Sequence, residues 1–524
     1  MKILKYISIV LVVAGVAVLQ SCDTDELHEL DIPVVSIDNS KLDPSQLFAN
    51  AQLELDVSTA DVSHRYAHAY VQYYGSTSIV MPGDDYQYEQ GQNDNAWRSY
   101  TNEIKLLTHV IGLLSEDPAQ VNNLAMCRIL KVLSFSQLTD LYGDIPYSQA
   151  GKAYFEGTFH PIFDTQQSIY TDMLNELDEA AGSFNAGAEI WADADFINGG
   201  DVVKWKKFAY SLMLRLAMRV SNADAGMAQT YVTKAIAGGV VTSNDDNILM
   251  MHTDGPSSIN MASMSLMILD SDSEKYSKLS TKLIDWLYAT NDPRIAVFSG
   301  GVYRADLEVP NGSAMNDRDV YFNDDNWNWS TDTLHGHPMA VNPIDLFEQT
   351  GVGDQKAIQQ AFPRAHPSLV KHDAPTVLMT ASESTLLTAE AVLKGWTTGD
   401  AASLYNEGVT LCMKQWATIF GDPNLEVADA DIATYLTGNP FTTAEGEKMI
   451  GEQYWLTKFH CGQEAWSNQR RTGYPVLVSQ IESVEIPTRM QYPVDAVTKN
   501  TDNVNEAIAR QGPDTFWSKV WWDK

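Results

Sequence analysis

Basic residues are scarce in this 524-residue chain: 35 Lys and Arg stand against 68 Asp and Glu, a formal net charge of −33. A surface so acidic repels phosphate backbones and anionic headgroups, which sets nucleic acid aside as a partner. Cysteine is scarcer still, at four residues. Cys127, Cys412 and Cys461 fall in segments of helical periodicity at spacings that match no metal motif, so buried free thiols are expected. Catalytic signatures are missing as well. The chain has no HExxH, no GxSxG, no Walker loop and no dinucleotide fingerprint, and nothing singles out a hydrolytic pair among its many carboxylates. With 44% hydrophobic and 20% charged residues, the composition is nonetheless that of a globular protein.

The N-terminus is different. Lys2 and Lys5 precede an apolar stretch from Ile7 to Leu19, broken only by Ser8 and Gly15, and Leu19-Gln-Ser-Cys22 closes it. That stretch is short for a membrane span and has the layout of a signal peptide over residues 1–21. Ser21 before Cys22 resembles a bacterial lipobox, which makes Cys22 the first mature residue and the site of lipidation. Acyl chains on Cys22 would then anchor the protein without a transmembrane helix. An acidic tether, residues 22–40, follows with Asp23, Asp25, Glu26, Glu29 and Asp31.

Helical periodicity dominates the first half of the body: Asn95–Leu114, Ala119–Leu141, Thr165–Phe184, Val202–Val220 and Ala225–Ala237 each repeat apolar residues at three- and four-residue intervals. Short turns between them predict antiparallel helix pairs stacked as in tetratricopeptide arrays. The pattern returns at Ala381–Lys394, Asp400–Phe420 and Ala444–Trp466. The expected fold is therefore mostly α: one domain over residues 41–524, with a helical scaffold at 41–240 and 378–470, a loop-rich insertion at 241–377, and an irregular tail at 471–524. The insertion is rich in Asn, Asp, Ser, Gly and Pro, with Lys275–Thr290 as its long periodic run. Its aromatic residues argue against disorder, and a loop region of this length is usually functional.

Candidate site residues sit mainly there. Trp327 and Trp329 lie in a polar stretch where aromatic side chains are expected to be partly exposed, and exposed rings stack on the apolar faces of sugars. Asn326 beside them, and His335, supply directional hydrogen bonds. Packing of the loop onto the scaffold would account for both Trp residues equally well. His64 and His68, four residues apart with Asp61 nearby, and His335-Gly-His337 are weak metal candidates, for which a structural role is the better account. Asp193-Ala-Asp195, Asp270-Ser-Asp272-Ser-Glu274 and Asn323-Asp-Asp-Asn326 alternate oxygens in a way that would allow a structural calcium ion. None has the glycine and distal glutamate of an EF-hand loop, and no cofactor is expected.

Several segments, in order along the chain, resemble the SusD/RagB family of Bacteroidetes outer-membrane nutrient-binding lipoproteins. Leu138–Tyr147 (LTDLYGDIPY) resembles the family's helix-ending turn. Gly200–Ser221 (GDVVKWKKFAYSLMLRLAMRVS) is similar to one of its helices, with Tyr210 where Asn is usual. Val377–Thr380 with Glu383, Leu387–Ala391 and Gly395-Trp396 follow, then Glu464–Pro475 (EAWSNQRRTGYP), Ile486–Pro493 (IPTRMQYP), Asn503–Ala507 and Lys519–Asp523. The resemblance implies a helical scaffold that acts as a lid over a SusC-type TonB-dependent transporter, capturing glycans or peptides without catalysis. It also implies that the acidic residues after Cys22 are a surface-export signal. The matched motifs are scaffold, with Arg470 and Arg471 expected to pair with carboxylates that fix the C-terminal segment. The ligand surface is expected in the dissimilar regions: Met81–Asn95, with Tyr86 and Tyr88, and Tyr303–His337, with Tyr303, Tyr321, Asn326, Trp327, Trp329 and His335. An oligosaccharide is the expected ligand. A peptide in the same role, a surface glycosidase or peptidase, and a transporter partner that binds no nutrient are the alternatives.

Overall fold

The computed structural model describes residues 42–523 apart from 77–80, 271–276, 310–317, 342, 353 and 354. Cys22, the leader and the acidic tether lie outside the described residues. The scaffold is built from helices, several of whose starts are fixed by capping side chains. Helix α1 covers Pro44–Val62, α2 Glu103–Leu114, α3 Val121–Tyr142, α4 Gln166–Ser183, α5 Val202–Arg219 and α6 Ala225–Gly238. Thr165 caps α4, Asp201 caps α5 and Asp224 caps α6, each side chain accepting from orphan N–H groups of the first turn. After the insertion, which contributes α7 (Thr281–Ala289), come α8 (Ala381–Leu393), α9 (Ala401–Phe420), α10 (Gly446–Thr457), α11 (Gly462–Thr472) and α12 (Thr501–Gln511). Consecutive helices pack as pairs: α3 on α4, α5 on α6, α8 on α9 and α10 on α11. Ser45–Lys524 form one compact unit around a continuous core.

Two layers of this scaffold are joined by buried charge. Arg215 of α5 forks onto Glu383 of α8, Nε to Oε1 at 2.6 Å and Nη2 to Oε2 at 2.8 Å, and Lys458 closes on the same carboxylate. The Tyr454 hydroxyl lies between Glu383 (2.8 Å) and Glu464 (2.7 Å), sharing its one proton with them, Glu464 bonds Arg219, and Arg219 reaches Asp140 at 3.3 Å. Burial pushes the Glu383 carboxyl up, but Arg215 and Lys458 outweigh it and hold it down at about 2. Arg471 behaves partly as expected, forking onto a carboxylate at 2.6 and 2.7 Å, but its partner is Glu390 of α8 and not a C-terminal residue. Arg470 does fix the C-terminal segment, by another means. It donates to the carbonyls of Thr488 (2.6 Å) and Asp140 (2.9 Å) and stacks on Trp466 and Trp522.

Three helical expectations need correction. Asn95–Leu114 is interrupted: a 3-10 turn over Ala96–Tyr100 precedes α2, and Asn102 is non-helical. Ala444–Trp466 is two helices, parted at Lys458–Cys461, where Lys458 turns to Glu383 and Phe459 stacks on Phe298. The tail is not irregular throughout, since Val494–Lys499 and α12 are helical. Inside α12 only Val504 and Ala507 are fully buried, too few to show a long period.

Asp272 and Glu274 lie outside the described residues, and the other polar clusters are taken up internally. Asp195 accepts from the N–H groups of Ile197, Asn198 and Gly200 and from the Trp205 indole (2.7 Å), which leaves it a local clamp on α5. Asn323 caps Asp325 in a 3-10 turn. His64 and His68 face one another edge-on in the core, His68 contacting the Phe459 carbonyl, while Asp61 bonds Arg65 and Asn95. Among the described residues, no three His, Cys, Asp or Glu gather as metal ligands would. Cys127 and Cys412 are buried free thiols, and Cys461 is a half-buried one.

Candidate ligand-binding cleft

The insertion folds around a small core of its own. Strand β1 (Val302–Tyr303) pairs antiparallel with β2 (Trp327–Asn328), matching Tyr303 with Trp327 and Val302 with Asn328. Gly301 makes this ribbon possible. Its φ is +75°, and a Cβ there would lie 2.3 Å from the Asn328 carbonyl oxygen. Side chains alternate along a strand, so when Trp327 turns inward Asn328 turns out. Trp327 then packs edge-on against Tyr303 at 5.3 Å, lies 5.9 Å from Tyr321, and is covered by the Arg364 guanidinium 3.5 Å above its ring. Arg364 has carbonyl partners, Gly300 and Tyr321, and burial without a carboxylate pulls its pKa down to about 10.

Trp327, Tyr303 and Tyr321 are therefore buried, contrary to the exposure expected of this stretch; Trp327 is 3% exposed. A ring inside a core and under a guanidinium offers no stacking face. Asn326 is likewise occupied: its Nδ2 donates to the Val320 carbonyl (3.1 Å) and its carbonyl accepts from Arg304 N–H (2.9 Å). Tyr86 is buried against Tyr70, and Tyr88, 40% exposed, lies beside Phe516 near the C-terminus.

Trp329 and His335 remain open to solvent. Trp329 is 36% exposed, with its indole N–H on the Asp324 carbonyl (3.3 Å) and its ring 5.3 Å from that of His366. Burial lowers the His366 pKa to about 4, so it presents a neutral imidazole. The loop after Trp329 is pinned to α7. Tyr288 donates to the Thr331 carbonyl (2.6 Å) and accepts from Leu334 N–H (2.7 Å). His337 N–H bonds the Leu279 carbonyl, and the His337 carbonyl accepts from Thr281 N–H. Gly336 permits this approach, since a Cβ there would lie 2.2 Å from the Ser280 carbonyl oxygen. The two histidines of the HGH run consequently part: His335 faces outward, and His337 is buried on Phe362, its pKa lowered to about 4 by burial.

Between α7, the ribbon and this loop lies a cleft of about 620 Å³, within the size range of small-ligand sites. Asn328, Ser330 and His335 line one side, Thr281 and Asp285 of α7 another, and Gln349, Gln360 and Phe362 the far wall. Hydrogen-bonding side chains thus surround the cleft, while the Trp329 ring, between Asn328 and Ser330 in the chain, lies against His366. Asp285 comes from α7, before the Trp-rich stretch, and Gln349, Gln360 and Phe362 from the segment after it. Only tertiary structure brings them to it, and no local pattern marks them.

A helical-repeat scaffold whose inserted loops shape a cleft defines the class of this protein: a helical binding scaffold. Within that class the chain belongs to the SusD-like family, whose family description, starch-binding and associating with the outer membrane, matches residues 36–493. Among solved structures, a chitin-binding protein is 31% identical and superimposes with a TM-score of 0.77 over 92% of this chain and all of its own. A SusD-like protein of Bacteroidetes is 27% identical, with a TM-score of 0.79 over 92% of this chain and 100% of that one. A SusD homologue from Bacteroides uniformis shares the fold at 23% identity, TM-score 0.72, covering 92% and 98% of the two chains. No curated protein matches the sequence. Among the described residues, no helix is long and apolar enough to cross a membrane.

Proposed function

We propose that this protein captures oligosaccharides at the cell surface and passes them to a SusC-type TonB-dependent transporter, held at the outer membrane by lipid on Cys22 and performing no chemistry itself. The observation that carries the reading is the cleft walled by Asn328, Ser330, His335, Gln349 and Gln360, with the exposed Trp329 between Asn328 and Ser330 in the chain. An aromatic face takes the apolar side of a pyranose, and amides and hydroxyls take its hydroxyl groups. The family's starch-binding description and the chitin-binding relative support a glycan over a peptide. Release suits such a site, because a half-open cleft buries only part of its ligand and holds it with modest affinity.

Calorimetry on the detergent-purified lipoprotein, with starch and chitin oligosaccharides in parallel with peptides, tests the assignment. Saturable binding of one glycan series with no turnover supports it; binding of peptides alone, or depolymerisation of the glycan, overturns it.

A further inference from the structure

The charge inside the cleft is one-sided. Asp285, one turn into α7 and exposed, is the charged residue lining it apart from the titratable His335, and neither Lys nor Arg lines it. The buried carboxylates Glu383, Glu390 and Asp292 all face a guanidinium, whereas Asp285 has no ion pair among the described residues. Lys282, one turn earlier on the same helix, acts on Glu452. Asp285 thus faces the cleft with its acceptor capacity unspent, near Thr281, His335 and Gln349.

Accepting the cleft as an oligosaccharide site, we infer that it selects glycans bearing free amines, with Asp285 as the specificity-determining residue. A protonated hexosamine nitrogen offers three donors and a positive charge to that carboxylate. The N-acetylated sugar offers a neutral amide instead, and a uronate brings a second negative charge with no Lys or Arg in the cleft to meet it. The order of preference is therefore free amine, then neutral sugar, then uronate.

The test is calorimetry at pH 6 on the full lipoprotein in detergent, with glucosamine, N-acetylglucosamine and galacturonate oligomers of equal length. A pair near the surface predicts that the glucosamine oligomer binds about three- to fivefold tighter than its N-acetylated counterpart. The advantage shrinks as salt is raised. In Asp285→Asn the ratio between the two ligands falls to one, and Asp285→Glu restores a ratio above one. Equal binding by the wild type, or a preference that survives Asp285→Asn, overturns the inference while leaving the oligosaccharide site standing. If no oligosaccharide binds at all, the site assignment fails and this inference with it.

Discussion

Trp327 and Trp329 are two residues apart and chemically identical, yet the fold gives them opposite tasks. Trp327→Ala empties a buried ring site beneath Arg364, and a large-to-small change of this kind costs about 3–5 kcal/mol where the site cannot collapse. Because the lost ring belongs to the insertion's own small core, chemical denaturation should show a lower midpoint. Trp329→Ala removes a partly exposed ring, so its stability cost should be smaller than that of Trp327→Ala while glycan affinity falls about tenfold. Unchanged affinity in Trp329→Ala would remove that residue from the site. Lys278 gives a second prediction at this scale. It is buried, hydrogen-bonded to Gln359, and pulled down to about 7 by desolvation and by Arg364. Between pH 7 and about 10 the unfolded chain holds a proton on this lysine that the folded chain does not, so stability rises with pH across that window. Lys278→Met should flatten that rise and stabilise the protein at pH 7 by about 1–3 kcal/mol, as removal of an uncompensated buried charge does. A destabilised Lys278→Met with the slope intact would show that the ammonium is compensated after all.

Elements were more legible in the sequence than sites. Helices α3 to α6, α8 and α9 begin and end within two residues of their expected limits, because apolar periodicity and Thr, Asp or Gly boundaries agree there. The break at Lys458–Cys461 was invisible because its cause, Glu383, is 75 residues away. Likewise, the burial of Trp327 depends on Arg364, which no local pattern places above its ring. The composition of the insertion pointed to the right region, and the tertiary contacts selected which residues within it face solvent. Glu383 is also where the pairing of α5 with α8 can be tested. Its folded pKa lies below its unfolded value near 4.5, so its contribution is full above that value and is lost as pH falls towards 2. Glu383→Gln keeps the shape but leaves Arg215 and Lys458 without their charge partner, which should cost about 3–5 kcal/mol. Acid unfolding of the wild type should steepen below pH 4.5, and the variant should lose that part of the transition. A variant as stable as wild type at neutral pH would mean that Glu464 of α11 neutralises Arg215 instead.

For the whole molecule, the question is how an acidic body stays at a membrane whose headgroups it repels. Removal of Lys2 and Lys5 with residues 1–21 changes the net charge from −33 to −33 − 2 = −35, so electrostatic adhesion to anionic lipid works against attachment. No helix among the described residues can substitute as a span. On the proposed lipidation of Cys22, attachment comes from buried methylenes, each contributing about 0.8 kcal/mol, so more than one acyl chain makes a durable anchor. Metabolic labelling with a palmitate analogue should mark the wild type and not Cys22→Ser, and Cys22→Ser should leave the membrane pellet for the soluble fraction. On the proposal that the acidic run is the surface signal, replacing Asp23, Asp25 and Glu26 by Ala should leave the lipid in place but protect the body from protease added to intact cells. Cys22→Ser that stays with the membrane after high-salt and carbonate washes would show a second mode of attachment. An acidic-run variant still shaved from intact cells would detach the surface signal from those three residues.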